Sequence, residues 1–584
     1  MKRVSSRFDF CVVGGGLAGL IAGISAARRG TKVAIIQDRP IFGGNSSSEI
    51  RMHVCGAHGS NMRETGIIEE LFLENHYRNP TSNYSIWDSV LYGNARYQEN
   101  LEIFLNASVS SCEMDGNRIK SVTAWQMTTE TWHTIEADMF ADCSGDGIMA
   151  PLSGADYRVG REAKAEFNET ISPDVADKKT MGMSCLMQAR EHTTSQKFIA
   201  PDWAHKFTKP EDLRGRDVHI KHTNLWWMEV GGENDSIHDS EELRDELLRI
   251  SFGVWDYLKN YSDLKDEYAN WAIDWQGFLP GKRESRRYIG DHVLTQNDIA
   301  SEGKFDDIVS YGGWSMDDHF PAGFYHPKAG TIFHPAPSPY GIAYRTLYSK
   351  NIENLFCAGR CHSATHAAMS STRVMSTTSM MGQAVGTAAA LAKKYETTPR
   401  GVYEDYIDEL KQTLMDDDCY IPWNKRAVST ITASAKLTAS SGEPENLRNG
   451  WNRQIGEDSN SWSGKAGYSI EYNFEQPEKL KEVRIVFDSN LDRVDPETNR
   501  DAKNMRNFYT LNAPEWKMPE TLVKEFSVEV ESSRGNKKVI FETDNNYQRL
   551  VKIELEESDV EVVRLIPKKT WGSQEINIFE FDVK

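Results

Sequence analysis

The apolar positions of the chain change their period in blocks, and each block predicts an element. Phe8-Asp9-Phe10-Cys11-Val12-Val13 is a short apolar run that stops at Gly14-Gly15-Gly16-Leu17-Ala18-Gly19. A run of that length bounded by glycine reads as a buried strand, and the small apolar stretch from Leu20 to Arg29 as the helix behind it. Lys32-Val33-Ala34-Ile35-Ile36 predicts a second strand. From Glu99 to Asp142 the alternation has period two and predicts a small antiparallel sheet, with strands at 101–105, 121–125 and 134–137 and an apolar return at Met139–Cys143.

Later blocks follow the same rules. Amphipathic helices are predicted over 62–76 and around 240–271, where Trp255, Tyr257, Tyr268 and Trp271 fall at core spacings. A strand at 351–357, a small-residue helix at 381–390 and an acidic helix at 402–418 come next. Beyond Trp423 strand-like alternation takes over at 468–474, 482–487, 526–530, 551–555, 562–566 and 576–581. Short strands in series without helices read as a β-sandwich. At 584 residues the chain is too long for one core.

The first glycine turn carries chemistry. Gly14-x-Gly16-x-x-Gly19 opens a helix whose free N–H groups and positive dipole end suit a pyrophosphate, while the missing side chains let a ligand approach the backbone. A dinucleotide is therefore expected. The second strand ends at Gln37-Asp38, where an acidic group usually meets a ribose, so either the Gln37 amide or the Asp38 carboxylate takes that role. A second glycine loop, Gly43-Gly44-Asn45-Ser46-Ser47-Ser48, leads through Glu49-Ile50-Arg51 to His53 and His58.

These motifs resemble FAD enzymes of the glutathione-reductase and fumarate-reductase type. The resemblance is carried by the Gly43-Gly44 loop, by Ser144-Gly145 closing a hydrophobic strand, by Gly160-Arg161-Glu162 and Arg283-Glu284-Ser285-Arg286, and by Cys357-Ala358-Gly359-Arg360 before the small-residue helix. It implies FAD as cofactor. It assigns cofactor contacts to Gly14, Gly16, Gly19, Gln37, Asp38, Gly43, Gly44, Asn45, Ser46, Arg51, Val109, Ser144, Gly145, Gly359, Arg360 and Gln383. His53 is placed beside the flavin by the same resemblance, as a packing or hydrogen-bonding group or as a covalent link.

The end of the chain resembles a discoidin-like jelly roll, through Asn446-Leu447 to Trp462 and Arg564 with Thr570-Trp571-Gly572. Modules of this shape often bind carbohydrate, with Trp451, Trp462 and Trp571 as stacking candidates, although burial is the commoner fate of tryptophan. The fold expected is α/β: a Rossmann-type FAD-binding domain at 1–150, an interleaved α+β substrate domain at 151–340, a return to the FAD-binding domain at 341–424, and an all-β jelly-roll sandwich at 425–584. The polar insertion from Ser489 to Met518 is expected to fold back over the catalytic part or to reach another subunit of a homo-oligomer.

Candidate catalytic groups lie in the middle of the chain. Lys282, Arg283, Arg286 and Arg287 cluster in an otherwise acidic protein, either as a solvated face or as a clamp for substrate oxygens. His362, His366 and Arg373 sit between the late strand and the small-residue helix, and histidine suits proton transfer near neutrality. Asp317-Asp318-His319 beside Trp314 supplies a third candidate, His319. One such cluster without a second ligand set does not make a metal site, and none is predicted.

Charge and cysteine usage narrow the function. A formal charge of -19 and a pI near 5.4 argue against nucleic acid or an anionic membrane as partner. Met1-Lys2-Arg3 ahead of an apolar run imitates a signal peptide, but cleavage there would delete the glycine motif, so a cytoplasmic protein is expected, or a periplasmic one if a leader has been removed. No run matches a membrane span. The cysteines are scattered, with Cys357-x-x-x-Cys361 the nearest pair to a redox disulfide. The leading expectation is an FAD-dependent oxidoreductase that oxidises a hydroxylated small molecule, a sugar, glycoside or sugar acid, and passes electrons to an acceptor the sequence leaves open. The alternatives are a carbohydrate-binding surface protein with a structural flavin, and a flavin monooxygenase.

Overall fold

The first apolar run becomes a strand longer than its hydrophobic stretch. In the computed structural model, which describes residues 1–220, 224–495, 500–501 and 505–584, β1 spans Lys2–Val13. Its first half alternates between exposed and half-buried positions, whereas Phe10 to Val13 is buried throughout, as a strand covered on both faces must be. The glycine turn leads into α1 (Leu17–Ala27), and β2 (Val33–Ile36) lies parallel to the end of β1.

Four further strands follow: β3 (Leu101–Phe104), β4 (Ala107–Asp115), β5 (Arg118–Gln126) and β6 (Thr131–Asp142). The sheet order is β3-β2-β1-β6-β5-β4, and β7 (Leu355–Cys357) also pairs with β6. β1 runs parallel to β6 along nearly its whole length, while β4, β5 and β6 form the antiparallel arm. One expectation is corrected here: residues 101–104 belong to the parallel part. They pair with Val33–Ile36 residue for residue, and Phe104 sets its ring edge-on to Phe8 at 6.1 Å, which covers the apolar edge of β2.

The late segment returns through β7, α2 (His366–Thr372) and α3 (Met375–Lys394). A Cβ on Gly382 or Gly386 would stand 2.1 Å from the Ala18 or Ala22 carbonyl oxygen, so α3 packs on α1 at a distance only glycine permits. The middle of the chain forms small sheets. One has the order Glu229–Val230, Met183–Ser184, Gly281–Lys282, and the hairpin Met316–His319 with Thr331–His334 stands beside it in sequence as a separate pair. Helix Ser240–Asp256 ends in a π-helical turn, Tyr257–Tyr261, and Trp255, Tyr257, Tyr268 and Trp271 are core residues.

Backbone packing divides the chain into two compact units: Met1–Ala57 with Ser82–Leu410 and Asn504–Pro514, and His58–Thr81 with Lys411–Lys503 and Glu515–Lys584. From the 489–518 insertion, part of which lies outside the described residues, strand Phe508–Tyr509 pairs with Met187–Glu191 in the first unit.

The second unit is an antiparallel β-sandwich. Its strands run in the order Trp462–Lys465, Glu575–Val583, Ile470–Phe487, Leu550–Thr570, Val523–Ser532, Lys537–Thr543, with Lys436–Ala439 on Ile470–Phe487. Two pairs of expected short strands are each one long, bulged strand, because a bulge re-aims a strand without ending it. Helix Ile67–Arg78 contributes Leu73 to the sandwich core. A buried charge cluster, Arg426 with Asp582 at 2.5 Å and Glu580 at 3.1 Å, satisfies groups that burial would otherwise make costly. Trp462 is fully buried and donates to the Ser441 carbonyl, Trp571 packs edge-on to Tyr77, and Trp451 is half-buried. No helix among the described residues is long and apolar enough to cross a membrane.

Candidate active site

The N-terminal glycines build a cradle by what they lack. Gly14 has φ +102°, and a Cβ there would meet the Cys143 backbone at 2.5 Å. Gly19 supports the turn from behind, where a Cβ would stand 1.9 Å from the Gly14 carbonyl oxygen. Gly43 and Gly44 also have positive φ, and the Gly43 N–H donates to the Gly15 carbonyl at 2.9 Å, which ties the second loop to the first. The Gln37 side chain holds the turn as well: Oε1 accepts from the Gly15 N–H at 2.7 Å and Nε2 donates to the Ile41 carbonyl at 3.1 Å. Asp38 beside it is exposed.

These loops enclose a cavity of about 470 Å³ that reaches from Gln37 and Asp38 past Val109 to Ser144, Gly145, Gly359 and Arg360. Gly14, Gly16, Gly43, Gly44 and Asn45 line it too. The start of α1 carries no acidic residue, so its dipole end is free for an anion. Asp146, half-buried at the wall, pairs with Lys282 at 2.7 Å and Arg360 at 3.3 Å. Burial opposes its charge, but Arg360 and Lys282 outweigh that and hold its carboxyl below the usual range. Arg360 Nη1 is buried without a partner among the described residues, a donor that a bound diphosphate or ribityl oxygen would satisfy. Glycine walls, a bare helix end and cationic side chains together fit a dinucleotide.

Other expected cofactor residues lie elsewhere. Ser46 is buried and donates to the Gly43 carbonyl at 2.9 Å, a loop-shaping role. Arg51 turns away to Gln188 at 2.5 Å and lies over the Trp275 ring. Gln383 is buried within α3.

A second cavity of about 320 Å³ shares Asn45, Lys282, Arg360, Arg373 and Met375 with the first. His53 lines this one. Trp226, Trp314 and Phe333 give it an aromatic surface. One wall is ionic. His319 Nδ1 is 2.6 Å from Glu229 Oε2 and its Nε2 is 3.2 Å from Asp317 Oδ2, while Arg373 donates to that same Asp317 oxygen at 3.1 Å. Arg283 stands 3.5 Å from Glu229 and donates to the Trp226 carbonyl at 3.1 Å. Burial disfavours ionised Asp317, but His319 and Arg373 keep its carboxyl well below the usual range.

Of the candidate catalytic groups, the structure brings together His319, Arg283 and Arg373. Arg286 lines the cofactor cavity instead, where it donates to the Asp146 carbonyl at 3.2 Å. His362 and His366 line neither cavity. His366 is buried between Glu284 at 2.8 Å and Asp318 at 3.1 Å. Burial opposes its charge, yet Glu284 and Asp318 push it up to about 10, so it is a structural cation. His362 is fully buried with Nε2 at 2.7 Å from Thr372 Oγ1, and burial with nearby Arg287 lowers it to about 3. Strand Met316–His319 explains the division, since successive side chains point to opposite faces: Asp317 and His319 toward the cavity, Asp318 toward His366. Cys357 and Cys361 are buried free thiols, and burial pushes both well up.

Sequence reasoning missed Glu229, Trp226 and Asp146. Glu229 had a signal, because it is the lone acid in the apolar run Leu225-Trp226-Trp227-Met228-Glu229-Val230. A charge buried in such a run needs a partner.

Comparison with known proteins follows this geometry. The family model described as FAD dependent oxidoreductase matches residues 9–414. Glycerol-3-phosphate dehydrogenase 2 of Mycobacterium bovis and that of Mycobacterium tuberculosis H37Rv are each 35% identical to the chain over 74 residues, which is 12% of this chain and 13% of those proteins. Among solved structures, the chain is similar to the family 32 carbohydrate-binding module from Streptococcus pneumoniae EndoD, at 15% identity and TM-score 0.20 over 27% of this chain and 99% of that one. It is also similar to the family 32 module of C. perfringens NanJ in complex with galactose, at 11% identity and TM-score 0.18 over 27% and 97%. With the family model spanning both glycine loops, His319 and the late strand, the chain belongs to the FAD-dependent oxidoreductases, and its cofactor is FAD.

Proposed function

We propose that the enzyme oxidises a hydroxyl group of a neutral sugar or glycoside bound in the second cavity. The observation that carries this reading is the meeting of the two cavities at Asn45, Lys282, Arg360, Arg373 and Met375, with His319 on the wall of the second. FAD, when bound, supplies a two-electron hydride acceptor. Gly14, Gly16, Gly43, Gly44 and Arg360 would hold it, with Asp38 as the acid nearest its ribose.

Paired charges and aromatic faces support this substrate class. Each cation that lines the second cavity has a carboxylate partner: Lys282 and Arg360 share Asp146, Arg283 faces Glu229, and Arg373 binds Asp317. Such pairs offer donors and acceptors to hydroxyls, and Trp226, Trp314 and Phe333 offer faces to a sugar ring. As the hydroxyl carbon becomes a carbonyl, its oxygen loses a proton. The hydrogen-bonded His319–Asp317 pair takes that proton up, or returns it in the reverse direction, while Arg283 and Arg373 orient the substrate oxygens.

Anaerobic addition of methyl glycosides and aldoses to the full-length holoenzyme tests this reading by flavin absorbance. Bleaching by at least one of them is expected. A flavin that stays oxidised with all of them contradicts it, and rapid bleaching by NADPH alone would point to a monooxygenase.

A further inference from the structure

We infer that Glu229, which lines neither cavity, is the positioning residue that orients His319 for proton transfer; the inference rests on the reading of His319 as the proton carrier. Glu229 is 1% exposed on the short strand Glu229–Val230, so it touches no substrate. Its Oε1 accepts the Gly182 backbone N–H at 2.8 Å, next to the paired strand Met183–Ser184. Its Oε2 then stands 2.6 Å from His319 Nδ1. An ionised carboxylate only accepts, so Nδ1 donates to Glu229 and, by the same rule, Nε2 donates to Asp317, which fixes the ring with its Nε2–H on the cavity wall.

The surroundings keep Glu229 in that place and in that charge state. Burial works against ionisation, but Arg283 and His319 outweigh it and hold the carboxyl below its ordinary value. A Cβ at Gly182 would strike the Val230 carbonyl at 2.5 Å and Glu229 Cγ at 2.8 Å, and one at Gly323 would strike the Glu229 carbonyl at 2.2 Å. Gly182 thus leaves room for the carboxylate and Gly323 for the backbone that carries it. Trp226 meets His319 edge-on at 5.3 Å and limits rotation of the ring. Around His319 the charged groups are Glu229 and Arg283 on one side and Asp317, Asp318 and Arg373 on the other.

Histidine-selective ¹⁵N NMR of the full-length holoenzyme tests the inference without a substrate. A strongly hydrogen-bonded, far-downfield Nδ1–H resonance is expected, assigned to His319 by its loss in His319→Asn. Glu229→Gln keeps the shape but removes the charge, and should move that resonance far upfield and lower the melting temperature while FAD content stays near wild type. If Glu229→Gln does not fold, Glu229→Asp keeps the charge with a shorter reach and should restore folding with a displaced resonance. A resonance that is absent from the wild type, or unmoved in the variant that folds, overturns the inference. With a glycoside that bleaches the flavin, Glu229→Gln should slow reduction by roughly 10²-fold at unchanged half-saturation. If His319→Asn reduces its flavin at the wild-type rate, the reading of His319 fails independently of Glu229.

Discussion

The cofactor cradle and the second cavity share a border but are made of different material. The cradle is backbone: glycines without Cβ atoms, a helix end, and peptide groups such as the Gly43 N–H on the Gly15 carbonyl. The second cavity is side chain: His319, Asp317, Arg283, Arg373 and three aromatic rings drawn from segments far apart in sequence. A backbone site needs a contiguous motif, because each residue's conformation shapes the next one's position. A side-chain site needs only that the fold deliver each group, so its residues leave little local pattern.

Substitutions can break that contrast. The largest effect is expected for Gly14→Ala, whose methyl would meet the Cys143 backbone at 2.5 Å from a positive φ. The purified variant should carry little or no flavin by its absorbance ratio. His319→Asn should retain full flavin and fold yet reduce it about 10²-fold or more slowly in anaerobic stopped flow.

His366→Asn should leave both cavities intact and cost stability instead. It would remove the cation that Glu284 and Asp318 share, a loss of about 3 kcal/mol by chemical denaturation. The sign with pH follows from its raised value: the contribution is full below the unfolded histidine value of about 6.5 and fades as pH rises toward about 10. The difference in melting temperature between wild type and variant should therefore shrink between those limits. The smallest effect is expected for Phe333→Ala. This rim residue is 57% exposed, so half-saturation by a glycoside should rise only a few-fold, on the order of 1 kcal/mol, with the reduction rate kept.

The same contrast explains what was legible in the sequence. Gly14, Gly43, Gly44, Gly145 and Gly359 stand out in the sequence because each takes a positive φ that favours glycine. The sandwich could be read from period-two alternation, though bulges hid that Ile470–Phe487 is one strand. Histidine spacing did not show which histidine faces the cavity. His362, His366 and His319 look alike in sequence, and only strand parity at Met316–His319 and the burial of α2 separate them. Arg51 and Ser46 belong to the right loop but point into the protein, a matter of side-chain direction that no motif encodes.

A chamber of paired charges and aromatic faces presents a neutral hydroxylated ring to the cofactor site. The most direct test compares anaerobic flavin reduction by neutral methyl glycosides with reduction by the matching glycosiduronates and by glycerol 3-phosphate, all with the same holoenzyme. The account predicts bleaching by a neutral glycoside and weak or no response to the anions. Bleaching by the anions alone would contradict it.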